Sequence, residues 1–229
     1  MPHSTEAKYT LQGLNGSPNI SLSSFQRALV LVPHPDDEAI GCGGLISALV
    51  KEGCDVFTLL VSDGSGGPDA PFNASNVRLD EFQRSIEILG AQELNRLMLE
   101  DSNLVTHKIV LREQIKKHIL QCSPDLIIAP WLGDSHPDHS VIGVCASDLS
   151  KELDLSLIAY EVWTPLKPTH ALDITPVSKK KREAIQAHKT ALRFGNYVNA
   201  SMGLAQYRSL LLPFQNNLDV YAEVFQIRI

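Results

Sequence analysis

Short apolar runs alternate with longer amphipathic stretches along most of this chain. Ala28–Val32, Asp55–Val61 and Asp125–Pro130 are largely apolar and partly β-branched, the pattern of strands buried on both faces. A weaker run at Leu97–Leu99, then Ser156–Trp163, Ala171–Ile174 and the alternating Val220–Ile227, extend the set. Helical patterns lie between them. Ala39–Val50 is small and apolar, and a segment capped by Ser75 carries Val77, Phe82, Ile86 and Leu89 on one face and stops at Gly90. Thr106–Gln121, a stretch ending near Leu149, and Val198–Leu211 also read as helices. Thr175-Pro176 offers an N-cap with proline at the first helical position and opens a helix through about Leu192. Strand and helix in alternation predict an α/β fold, a mostly parallel sheet flanked by helices, with its site at the carboxyl edge of the strands. No internal repeat or domain-sized linker interrupts the pattern. Residues 1–229 therefore read as a single domain, with a polar N-terminal extension at 1–26.

Two predicted strands end in polar knots. Val32 leads into Pro33-His34-Pro35-Asp36-Asp37-Glu38, and Pro130 leads into a loop ending Asp134-Ser135-His136-Pro137-Asp138-His139. In a parallel sheet both emerge at one edge and can converge. Nitrogen and oxygen donors, with no cysteine suitably placed, suit a borderline divalent ion. His34, Asp37 and His139 make a two-histidine, one-carboxylate set, and three protein ligands leave a position for water, as in catalytic zinc sites. Such an ion lowers the pKa of bound water to ~7 and polarises a carbonyl. Asp36 is then available to accept a proton from the attacking water. His136 is available to stabilise an oxyanion or protonate a departing amine, and Asp138 to orient that imidazole and favour its charged form.

Composition narrows the remaining possibilities. A net charge of −6 opposes nucleic acid as a partner, and the basic run Lys179–Arg182 reads as a solvated helix start. No apolar stretch approaches the roughly 18 residues of a membrane span. Met1–Gln26 lacks the basic and apolar regions of a signal peptide, so a cytoplasmic location is expected. Cys42, Cys54, Cys122 and Cys145 form no CxxC pair and are expected to be reduced and mostly buried. Gly41, Gly43 and Gly44 do not follow the dinucleotide spacing and serve close helix packing instead. The loop Ser62–Pro71 is a candidate lid. Glu38 reads either as a group orienting a ligand or as a complement to the helix dipole. His3, His107, His118 and His170 read as incidental.

Pro33–Glu38 with Gly43-Gly44, Arg78 with Glu81, His136–His139, and Lys181 through His188 together resemble the PIG-L/LmbE family of zinc-dependent N-deacetylases. The resemblance spans roughly residues 28 to 190. It implies a Rossmann-like α/β sandwich, zinc (or Fe2+ or another divalent ion) on His34, Asp37 and His139, and Asp36 as general base. It also implies His136 as the electrophilic or acidic histidine with Asp138 as its partner, and Arg78 as a substrate-binding residue. The implied substrate is a small N-acetylated sugar of the N-acetylglucosamine type, and a homo-oligomer, trimer or hexamer, is a family-level expectation. Gly64-Ser65 departs from the Gly-Glu that many members carry there. Two other readings share these donors: a non-haem iron oxygenase, and a metal-dependent sugar-binding protein without turnover. The base and acid at Asp36 and His136 speak for catalysis.

Overall fold

The computed structural model describes residues 9–66, 74–213 and 219–228. Along the chain run β1 (Thr10–Gly13), β2 (Ile20–Ser21), β3 (Arg27–Val32), α1 (Asp37–Lys51), β4 (Asp55–Ser62), α2 (Ala74–Leu89) and β5 (Gln92–Leu99). Then follow α3 (Lys108–Cys122), β6 (Leu126–Pro130), α4 (Pro137–Glu152), β7 (Ser156–Tyr160), β8 (His170–Asp173), α5 (Ser178–Ala187), α6 (Tyr197–Arg208) and β9 (Ala222–Arg228). All strands join one sheet in the order β2-β1-β8-β9-β7-β6-β3-β4-β5.

The expected parallel sheet holds for β7-β6-β3-β4-β5. The other four strands pair antiparallel, and β9 joins β7 antiparallel too. Parallel neighbours need a crossover helix. β1 and β2 are joined instead by a short turn through Asn15 and Gly16, both at positive φ, and no α-helix separates β7 from β8. Residues 9–26 are therefore not a loose polar extension: they supply β1 and β2, and Leu11 and Leu22 are fully buried.

Both faces of the parallel strands are covered because their apolar positions alternate between two cores. Ala28, Val30 and Val32 of β3 face a core shared with α1, α2 and α5, while Leu29 and Leu31 face one built on α3 and α4. Each valine or leucine so buried is worth about 1.5–3 kcal/mol. On α2, Leu79 joins Phe82, Ile86 and Leu89 in the core, and Val77 stays exposed. The helix predicted from Thr175 to Leu192 begins with one 3-10 turn and ends at Ala187. Beyond it, the Glu81 carboxylate accepts the Thr190 N–H at 3.0 Å and its hydroxyl at 3.2 Å, which draws the chain out of helical register.

α1 is broken at Cys42 (φ −143°, ψ 23°). Lys181 Nζ donates to the carbonyls of Ala39 (3.1 Å) and Ile40 (2.6 Å) before the break. Glu223 accepts the N–H groups of Gly44 and Leu45 after it, both at 2.8 Å. Lys181 and Glu223 pair at 2.7 Å. Lys181 is 2% exposed, so it is not part of a solvated basic run. The Gly41 and Gly44 faces meet the Tyr160 ring and Ile174 so closely that a β-carbon would collide with either. All four cysteines are free and buried, and no described helix is long and apolar enough to cross a membrane.

Candidate active site

The carboxyl ends of all five parallel strands gather around one hollow. His34 follows β3, Asp63 follows β4, Asp101 follows β5, Asp134 and His136 follow β6, and Glu161 to Trp163 follow β7. His34 Nδ1, Asp37 Oδ2 and His139 Nε2 form a near-equilateral triangle: 3.2 Å between His34 and Asp37, 3.2 Å between the two histidines, and 3.1 Å between His139 and Asp37. All three residues are buried. Ligands placed tetrahedrally at about 2.0–2.2 Å from zinc stand roughly 3.3–3.6 Å apart, so the triangle is only slightly tight.

The far side of each imidazole faces an acid. His34 Nε2 lies 3.2 Å from both Asp138 Oδ2 and Asp101 Oδ1, and His139 Nδ1 lies 3.7 Å from Asp134 Oδ2. With the outer N–H groups turned to carboxylates, the inner nitrogens converge as lone-pair donors, the usual support for metal-binding histidines. Burial pulls His34 down, but Asp101, Asp138 and Asp37 outweigh it and hold its pKa well above the ordinary value. Burial likewise works against His139, yet Asp37 and Asp134 raise it to about 9. For Asp37, burial is outweighed by His139 and His34, which hold the carboxyl far below the usual range.

Asp36 stands at the N-cap of α1 with φ 133° and ψ −25°, a conformation costly for a residue with a β-carbon. Burial and the neighbouring Asp37 push its carboxyl up to about 7, against Arg78 and His188. Its backbone is tied down by Glu38, which is fully buried and whose Oε2 accepts the Asp36 N–H at 3.1 Å. Glu38 Oε1 in turn accepts the Ser85 hydroxyl at 2.5 Å and lies 2.7 Å from His188 Nε2. Glu38 and His188 thus brace the Asp36 turn rather than touching the ligand triangle.

His136 is the N-cap of α4. Its Nδ1 accepts the backbone N–H of Asp138 at 3.3 Å, which leaves the proton of the neutral ring on Nε2. Burial and the nearby His34 and His139 lower its pKa, so this imidazole is a neutral donor. The Asp138 carboxylate does not orient it as expected. It binds His34 Nε2 and accepts the Leu104 N–H at 3.0 Å, because the first turn of α4 aims it across the site. His34, His136 and His139 each bring a ring nitrogen within 4.8 Å of the others.

Arg78 lines the hollow, but not as a partner of Glu81. Its Nη1 donates to the Gly64 carbonyl (2.9 Å) and its Nη2 to that of Pro35 (3.2 Å), with Asp36 at 3.7 Å and Asp101 at 3.5 Å. The sequence reading missed Asp101 and Asp134. Asp101 accepts the Gly66 N–H, and although burial opposes it, His34 and Arg78 lower its pKa to about 2. Its one sequence signal is its place just after the weak strand. Ser65 bonds to Asp63. The rest of the candidate lid, from Gly67, and His3 lie outside the described residues. Away from the site, His118 bonds to Asn95 and the Gln114 carbonyl, and His170 Nε2 to the Pro18 carbonyl. A cavity of about 560 Å3 opens from Asp36, Asp37 and His136.

Fold and donors together define a class: an α/β protein with a candidate metal centre at the carboxyl edge of its sheet. The PIG-L family model, described as GlcNAc-PI de-N-acetylase, matches residues 29–150, and the chain belongs to that family. It is 34% identical over 194 residues to the diacetylchitobiose deacetylase of Thermococcus kodakarensis, covering 75% of this chain and 72% of that one. Its fold is similar to that of N,N'-diacetylchitobiose deacetylase from Pyrococcus horikoshii (TM-score 0.73, 24% identity, 90% and 85% of the two chains). The fold is also similar to that of GalB, the 4-carboxy-2-hydroxymuconate hydratase of Pseudomonas putida (TM-score 0.70, 20% identity, 89% and 96%). One fold thus carries unlike reactions, and the reaction must be argued from the site.

Proposed function

We propose that this protein is a metal-dependent de-N-acetylase that removes the acetyl group from an N-acetylated sugar of the N-acetylglucosamine type. His34, Asp37 and His139 are the ligands for zinc, and the same donors accept Fe2+ or another divalent ion. The observation that carries the reading is the triangle of two ring nitrogens and one carboxylate oxygen, 3.1–3.2 Å on a side, with the Asp36 carboxyl beside it. The family's de-N-acetylase description favours hydrolysis over the oxygenase and binding-only readings of those donors, and the sugar substrate of the Thermococcus relative supports the substrate class.

When bound, the ion polarises the amide carbonyl and acidifies a water molecule. Asp36 takes one proton from that water as its oxygen attacks the acetyl carbon. A carboxyl at about 7 in the metal-free protein is drawn back toward its ionised form by a neighbouring cation, as a base requires. The carbonyl opens to an oxyanion, toward which His136 presents its Nε2–H. On collapse the C–N bond breaks, the amine leaves with the proton Asp36 had taken, and acetate remains. Asp138 acts through His34 as a positioning residue. Arg78 steadies Asp36 and Asp101 at the wall where the sugar sits.

The test is acetate release from a panel of N-acetylated glycosides, before and after chelation and again after zinc is restored. Release that stops with chelator and returns with zinc is expected. Turnover that consumes oxygen, or acetate release indifferent to chelation, overturns the reading.

A further inference from the structure

The cavity has two unlike walls. One is charged and carries Asp36, Asp37, Asp101 and Arg78. The other is apolar and carries Ile40, Val162, Trp163, Phe194, Tyr197 and Leu204. Phe194 is 65% and Trp163 54% exposed, and large apolar side chains left open around a concave site mark a ligand surface.

This wall is held in place. Trp163 and Tyr197 meet edge to face with centroids 6.2 Å apart. The Trp163 backbone N–H donates to Asp134 at 3.0 Å, which fixes the ring's segment to the same loop that presents His136. Arg208 on α6 forks onto Glu161 at 2.9 and 2.6 Å, so the helix bearing Tyr197 and the segment after β7 bearing Trp163 form one unit.

Charge decides what such a wall faces. Arg78 is the one arginine or lysine among the described residues lining the cavity. Asp36 and Asp101 already meet its charge, and its terminal nitrogens donate to backbone carbonyls. Four carboxylates, Asp36, Asp37, Asp101 and Glu161, border the same space, so a further negative charge on the substrate would meet repulsion and no free arginine or lysine.

We propose that Trp163, Phe194 and Tyr197 form the subsite for the group attached to the sugar, and that this subsite selects an uncharged, apolar or aromatic substituent over an anionic one. The inference rests on the deacetylase reading above. Phenyl and 4-carboxyphenyl glycosides of N-acetylglucosamine differ only by one carboxylate, and the methyl glycoside lacks the ring. The kcat/KM for the phenyl glycoside is expected to exceed that for the carboxyphenyl one by about tenfold or more, the usual direction for an unpaired like charge. Trp163→Ala and Phe194→Ala are each expected to cut the phenyl-to-methyl ratio by about fivefold, chiefly through KM, as loss of uniform binding does. Phe194→Tyr, which keeps the ring, is expected to hold that ratio.

Equal or better turnover of the carboxyphenyl glycoside overturns the proposal. So does a phenyl-to-methyl ratio that neither alanine variant moves, including the case where those variants change only the oligomeric mass, which would assign the rings to a subunit contact. Acetate release from none of the three glycosides overturns the deacetylase reading instead.

Discussion

The tripeptide His-Pro-Asp enters this site twice, and the two copies sit differently against the helices they open. In His34-Pro35-Asp36 the triplet precedes its helix: Asp36 is the N-cap of α1, at φ 133°. In His136-Pro137-Asp138 the triplet has already entered: His136 is the N-cap of α4 at φ −76° and ψ 122°, and Pro137 takes the first helical position. That shift of register divides the work. The first copy turns its histidine into the donor triangle and strains its aspartate beside it. The second keeps its histidine as a relaxed, neutral cap, and His139, one turn further on, completes the triangle. On the proposed reading, identical letters serve as ligand and base in one place and as hydrogen-bond donor and support in the other.

Substitutions can break this comparison at each of its points. His139→Ala removes a corner of the triangle and is expected to abolish both metal uptake and acetate release; unchanged metal content by elemental analysis would remove His139 as a ligand. Asp36→Asn is expected to keep the metal and lose about 10²–10⁴-fold in kcat, the range for a general base, and full turnover in that variant would end its assignment. His136→Gln is expected to cost about 10²–10³-fold in kcat with little change in KM, as loss of an oxyanion donor does. An equal loss in KM would make His136 a ground-state contact.

The five parallel strands and both knots were legible in the sequence because apolar runs and donor types are local signals. Asp101 was not: one acid after a weak strand looks like any turn residue until His34 and Arg78 are seen against it. Lys181 was misread because three basic neighbours suggest a solvated face, whereas its partner Glu223 lies 42 residues away. The role of Asp138 depended on which way the first turn of α4 points, and the antiparallel half of the sheet on connections too short to carry crossover helices. Residues that touch their sequence neighbours were read well. Those defined by a partner brought in through the sheet were not.

Two smaller effects sharpen the contrast between the copies. In the metal-free protein His139 is raised to about 9 and His34 is also raised, so a metal must displace protons that are held below that pH. Zinc affinity measured with a competing chelator is therefore expected to rise about tenfold per pH unit between ~7 and ~9 for the His139 proton alone. A flat profile would mean that His139 gives up no proton to the ion. The smallest effect is on stability. Asp36→Gly relieves a positive φ that Asp36→Asn leaves in place, and is expected to melt about 2–4 °C higher than the Asn variant. Equal melting temperatures would show that the turn stores no strain.

The break in α1 has a consequence for how the protein is made. The helix that carries Asp37 is joined across Cys42 only when Lys181 and Glu223 arrive, and the Glu223 contacts span 179 and 178 residues of chain. At a synthesis rate of about 5–20 residues per second, the ribosome delivers the first knot many seconds before the strand that locks it. The contacts that bridge the break can therefore form only after Glu223 has been synthesised, and the first knot waits for a partner nearly 180 residues downstream.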